Sequence, residues 1–144
     1  MKKEIKLIIK NGKFITKLYD NKTAIKENMQ PTGTSGGVRN LYIIPGNKTF
    51  EELVSNLNNG IIIDSINGLH AGANTLNGDL SLQATGYEVK DGKIGNALKL
   101  IILQTNIKEL FNNVIEIGND LEFYGETGGS PSILCKDITI VGKE

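Results

Sequence analysis

A chain of 144 residues with 39% hydrophobic content is long enough to bury a core without staples, and it reads as one soluble domain. Its formal charge of +0, with Arg39 the sole arginine among 16 basic residues and the lysines scattered, excludes a forked phosphate-binding cluster and a nucleic-acid surface. A lone cysteine, Cys135, excludes a disulfide-stapled secreted scaffold, and no apolar stretch approaches the roughly 20 residues that span a bilayer.

The opening MKKEIKLIIK has too short an apolar run, broken by Lys6, to be a signal peptide, so a cytoplasmic location is expected. Glu4 to Lys10 and Lys13 to Tyr19 flank Asn11-Gly12, and an Asn-Gly pair between β-prone runs predicts a hairpin because both turn positions need φ > 0. Asp20 to Asn28 carries helix formers. Met29 to Asn40 is a loop rich in Gly, Ser, Thr and Pro. Leu41 to Ile44 is a short apolar strand closed by Pro45-Gly46. Thr49 and Glu52 have the spacing of a capping box, and Phe50, Leu53, Val54 and Leu57 make one apolar stripe, so a helix follows. Asn59-Gly60 is expected to end it, with glycine as the left-handed cap.

The stretch from Gly60 to Tyr87 organises the whole sequence. Ile61-Ile62-Ile63 reads as a buried strand. A polar loop with Gly68, His70, Gly72, Asn74, Asn77 and Gly78 comes next, and then an alternating strand with Leu80 and Leu82 on one face and Ser81 and Gln83 on the other. Asp91-Gly92 predicts a second hairpin. Leu98 to Leu103 is apolar on both faces, which predicts a central strand. Asn106 and Glu109 repeat the cap spacing, with Ile107, Leu110, Phe111 and Val114 as the stripe. Leu121 to Tyr124 is a strand, GETGGS from Gly125 to Ser130 is a second glycine-rich loop, and Ile133 to Val141 is a closing strand. Seven or eight strands, two amphipathic helices and sequence-adjacent hairpins predict an α+β domain with a mostly antiparallel sheet.

The loop around His70 is the place for chemistry. His70 suits a general base or hydrogen-bond donor, because the glycines beside it let a substrate backbone come close. The competing reading is a histidine that ties the loop together. Asn74, Asn77 and Asp79 suit a peptide backbone or a sugar, against ordinary turn chemistry in which such side chains bond their own backbone. A metal role has little to draw on, with one histidine, no HExxH and one thiol on an alternating strand. Neither Thr32–Gly37 nor GETGGS carries the Lys-Ser/Thr that completes a Walker loop. Ser65 and Ser81 lie near His70, but no GxSxG elbow is present.

Taken in order, GLHAGANxxxGDLSLxAxGY, GYEVKDGKIGNALK, VIEIGNDLEFYG and PSILCKDITIVGK resemble the C-terminal domain of the TldD/PmbA family, with its "ENGK" hairpin, its "GNDL" turn and its final "PSxxxxxLTVAG" strand. The sequence is more similar to the PmbA, or TldE-like, branch. The resemblance implies a soluble cytoplasmic protein of a family once described as modulators of DNA gyrase and now understood as a metallopeptidase system for peptide maturation and degradation. It implies that zinc belongs to a TldD-type partner bearing HExxxH, that this chain holds none and is not catalytic alone, and that residues 1–144 form one domain without the family's N-terminal domain. The expected role is to make dimer contacts, with a TldD-like subunit or a second copy, and to line a chamber for unfolded peptide. His70, Asn74, Asp79 and Ser81 are the expected substrate-binding residues. Two other readings stand beside it, namely a stand-alone interaction or structural module and a metal-independent hydrolase using His70.

Overall fold

A computed structural model describes residues 5–34, 38, 40–125 and 127–142. The expected Glu4 start of the first hairpin, the Ser35-Gly36-Gly37 part of the first glycine-rich loop, Arg39 and Glu126 of the second lie outside those residues. The architecture is α+β and mostly antiparallel, as the strand pattern predicts. The protein divides into two compact units, Met1–Tyr42 with Phe123–Gly129 and Ile43–Glu122 with Ser130–Glu144.

In the first unit the Asn-Gly turn forms as expected. β1 (Ile9–Lys10) and β2 (Lys13–Phe14) pair antiparallel around Asn11 and Gly12, whose φ angles are 49° and 73°. α1 (Asn21–Lys26) starts at Asp20, whose carboxylate accepts from the Thr23 amide at 2.7 Å while the Thr23 hydroxyl accepts from the Asp20 amide at 3.1 Å. β3 (Leu41–Tyr42) runs parallel to β9 (Gly128–Ser130), which also pairs with β8 (Glu122–Tyr124). The expected glycine-rich loop is therefore partly the middle strand of a small sheet. Backbone bonds on both sides stabilise it where side-chain propensity argues against a strand. Tyr42 and Phe123 pack edge to face, ring centroids 5.7 Å apart.

The second unit is built on the sheet β11-β6-β5-β4. α2 (Phe50–Leu57) opens with the expected capping box: Glu52 Oε2 accepts from the Thr49 amide at 2.8 Å and Thr49 Oγ1 from the Glu52 amide at 3.2 Å. Leu53 and Val54 are buried from its stripe. Its end departs from expectation. Asn58, not a glycine, takes the positive φ of 59°, and Gly60 already begins β4 (Gly60–Asn67). A Cβ at Gly60 would meet Leu57 Cδ1 at 2.6 Å, so that side chain would have to shift.

β5 (Asp79–Lys90) and β6 (Lys93–Asn106) form one long hairpin around Asp91-Gly92, so the separate short strands expected from Leu80 and from Tyr87 are one. Two register shifts let it coil: burial follows Leu82, Ala84 and Gly86 and then changes parity to Val89. β6 is central as expected, yet only one of its faces is covered, for Ile101 and Leu103 are buried while Leu100 is 72% exposed. The expected closing strand is two, β10 (Ile133–Cys135) paired with β7 (Val114–Ile117) and β11 (Thr139–Gly142) paired with β6, because Asp137 turns the backbone at φ 54°. α4 (Ile107–Asn112) and a short helical turn, α3 (Leu69–Gly72), complete the unit.

Two interactions hold this second unit together at close quarters. A Cβ on Gly86 would overlap the Ile62 carbonyl oxygen of β4, whereas one on Gly95 would sit at an ordinary 3.5 Å from the Glu88 carbonyl. Gly86→Ala should therefore destabilise by about 3 kcal/mol and Gly95→Ala by no more than about 0.5 kcal/mol, read from urea unfolding midpoints. Asp120 supplies the second. Its Oδ1 accepts from the Ser132 amide at 2.9 Å and its Oδ2 from the Ser132 hydroxyl at 2.6 Å. Burial acts to raise this carboxyl, and the Ser132 hydroxyl and amide outweigh it, leaving the group below its ordinary value. A lowered folded pKa adds stability that is present above the unfolded value and is lost as pH falls through the folded one. Stability should thus decline from about pH 4 downward, and Asp120→Asn should show a flatter profile over that window.

Candidate functional site

The site grows from the connection between β4 and β5. After Asn67, Gly68 takes φ 80° and its carbonyl accepts from the Ala71 amide at 3.1 Å and the Gly72 amide at 2.8 Å, which makes the turn α3. Gly72 then sits directly on β5. A Cβ there would overlap the Ser81 carbonyl oxygen and approach Leu82 Cδ2 at 3.0 Å. Only glycine permits that approach, and it brings Ala73 into a β-bridge with Leu80.

The following six residues close on themselves. The Asn74 amide donates to the Asp79 carbonyl at 2.8 Å and the Gly78 amide to the Asn74 carbonyl at 2.8 Å. Asn74 Oδ1 accepts from the Leu76 amide at 2.9 Å, an Asx turn. Asp79 is held from two directions. Asn77 Nδ2 donates to its Oδ2 at 2.7 Å, and Asn106 Nδ2 donates to its Oδ1 at 2.9 Å. Asn106 also donates to the Asn77 carbonyl at 2.9 Å and accepts from the Lys108 amide at 2.9 Å. Asn106 is thus the N-cap, through the Lys108 amide and not the expected Glu109 position, and the same side chain fastens the loop to the start of α4.

Around this loop lies an open cleft of about 500 Å³ lined by residues 71–76 with Asp79, Leu80 and Ser81. Three of the expected residues, Asn74, Asp79 and Ser81, share it. His70 sits on the adjoining helical turn, exposed, and is not part of the lining. No partner orients its imidazole among the described residues, whereas a general base ordinarily has an orienting group. Asp79 spends its oxygens on Asn77 and Asn106. The cleft thus presents the Ser81 hydroxyl and the Asn74 side chain beside main-chain groups.

Among the described residues no three His, Cys, Asp or Glu side chains group together. Burial raises the Cys135 thiol above its ordinary value, which disfavours the thiolate a metal needs. Four cleft residues escaped the sequence reading, Ala71, Ala73, Thr75 and Leu76. Leu76 is 97% exposed at the loop tip, and the available signal was an apolar residue inside an otherwise polar, Asn- and Gly-rich run. No helix among the described residues is long and apolar enough to cross a membrane.

The sequence matches the family model described as the PmbA/TldA metallopeptidase C-terminal domain over residues 1–142. It is 34% identical over 139 residues to the metalloprotease PmbA homolog of Buchnera aphidicola, covering 96% of this chain and 30% of that protein. It is 29% identical to metalloprotease PmbA of Escherichia coli, covering 94% and 30%. The chain spans about 30% of the length of the curated relatives it matches. Among solved structures, a candidate modulator of a DNA gyrase from Thermotoga maritima superposes with a TM-score of 0.88 at 37% identity, covering 94% of this chain and 32% of that one. TldE from Thermococcus kodakarensis gives 0.79 at 22% identity, a likeness of fold alone. On the match across nearly its whole length, this chain belongs to the PmbA/TldA metallopeptidase C-terminal domain family, alongside relatives named as PmbA metalloproteases.

Proposed function

We propose that this protein is the metal-free, TldE-like C-terminal domain of a TldD/PmbA peptidase system in the cytoplasm. It lines the substrate chamber and makes dimer contacts with a TldD-like subunit or a second copy, and the partner supplies the zinc and the bond cleavage. The observation that carries this reading is the cleft at Asn74, Asp79 and Ser81, walled by the bridge between Ala73 and Leu80. An extended peptide seated there would be held through main-chain hydrogen bonds that every sequence offers, as the degradation of unfolded peptides requires. The exposed Leu76 beside it would supply an apolar contact.

A binding titration with a dye-labelled unstructured peptide tests this. The wild-type protein should bind it, Ser81→Trp should fill the cleft and weaken binding at least about tenfold, the worth of one or two hydrogen bonds, and His70→Ala should change binding far less. Equal binding by wild type and Ser81→Trp, or no binding by either, would remove the chamber role.

A second reading, an interaction module that docks through its sheet, is favoured by one observation. Leu100, Ile102 and Val141 remain exposed on β6 and β11, with Ile102 and Val141 paired across the two strands. In that case sedimentation across a concentration series should show self-association that Leu100→Lys abolishes, while peptide binding is absent throughout.

A further inference from the structure

The sequence holds four Asn-Gly pairs: Asn11-Gly12, Asn59-Gly60, Asn67-Gly68 and Asn77-Gly78. We propose that Asn11-Gly12 is a site of spontaneous deamidation, selected by the fold from four chemically alike candidates. In such a pair the glycine's backbone nitrogen attacks the asparagine Cγ. A new C–N bond forms, the bond from Cγ to Nδ2 breaks, and the proton shed by the attacking nitrogen leaves with the departing ammonia. Water then opens the succinimide ring at either carbonyl, giving aspartate or isoaspartate. Water is the only co-reactant, and no oxidant or reductant is needed. Glycine favours the first step because no Cβ shields its nitrogen.

The fold withholds this geometry from three of the pairs. Asn77 is bound at both ends of its carboxamide, with Nδ2 donating to Asp79 Oδ2 at 2.7 Å and Oδ1 accepting from the Asp79 amide at 3.0 Å. Its attacking group is engaged as well, since the Gly78 amide donates to the Asn74 carbonyl at 2.8 Å. Asn59 Oδ1 accepts from the Asp91 amide at 3.2 Å. Asn67 is the last residue of β4, and its pairing with Gln83 at the end of the ladder holds its backbone extended.

Asn11 is restrained differently, through its backbone, by the Lys10–Lys13 pair that closes its turn. It is exposed at the tip of a hairpin whose strands are two residues each, and no partner holds its side chain among the described residues. Two-stranded hairpins are marginal in water, so this turn opens to the attacking geometry most readily. The carboxylate produced would lie beside Lys10 and Lys13, which are cross-strand partners, and their charge favours it. The isoaspartyl form lengthens the backbone by one carbon, which a two-residue turn does not absorb, so conversion should also unpair Ile9 from Phe14.

Peptide mapping by mass spectrometry over a time course in mildly alkaline buffer tests the proposal, with a parallel series in urea. In the folded protein the peptide carrying Asn11 should take on the mass of an acid in place of an amide and split into two chromatographic forms. The other three should convert at least about tenfold more slowly, since hydrogen bonds or a strand ladder must first break. In urea all four should convert at comparable rates. The proposal is overturned if any of the other three keeps pace with Asn11 in the folded protein. It is equally overturned if Asn11 keeps its amide in buffer, or if the same ranking persists in urea, where sequence context alone would be setting it.

Discussion

The cleft exists because one backbone lies against another with no side chain between them. Gly72 rests on the Ser81 carbonyl and the Leu82 side chain, and from that contact the Ala73–Leu80 bridge, the closed Asn74–Asp79 loop and the cleft wall follow. Gly86 repeats the device between β5 and β4, against the Ile62 carbonyl. Dispersion and weak backbone contacts reward such close approach, and a methyl group at either place would force the two backbones apart. The constraint is steric before it is chemical. The groups that line the cleft are set by what the loop must do to reach β5 again.

That order of cause explains why Asp79 and His70 differ. Asp79 sits where the loop rejoins the sheet, so its carboxylate is drawn into the amides of Asn77 and Asn106 and becomes part of the frame. His70 sits on the helical turn before Gly72 makes its contact with β5, and it stays exposed and outside the cleft lining. A polar loop on a rigid sheet is well suited to recognising a backbone.

Much of the fold was legible where the information is local. Asn11-Gly12 and Asp91-Gly92 turn as their φ preferences require, and the Thr49–Glu52 box opens α2. The strand from Leu98 is central because isoleucine and leucine recur there almost without a break. What could not be read depends on partners far along the sequence. The glycine run at Gly128 becomes a strand only because β3 and β8 flank it. The closing strand splits because its two halves belong to different sheets, and Asn58 takes the positive φ while Gly60 already begins β4. The same holds at the site. Composition marks the Asn-rich loop, but the bond from Asn106 to Asp79 joins positions 27 residues apart, and no periodicity announces it.

The parallel pairing of Leu41 with Gly128 bears on how the molecule comes into being. In sequence those two segments bracket most of the second unit, and the entropy of drawing such distant ends together is recovered only after the residues between them have collapsed. The long β5–β6 hairpin, whose strands are neighbours in sequence, has no such delay. During synthesis the β3 strand is therefore made long before the strand that will receive it.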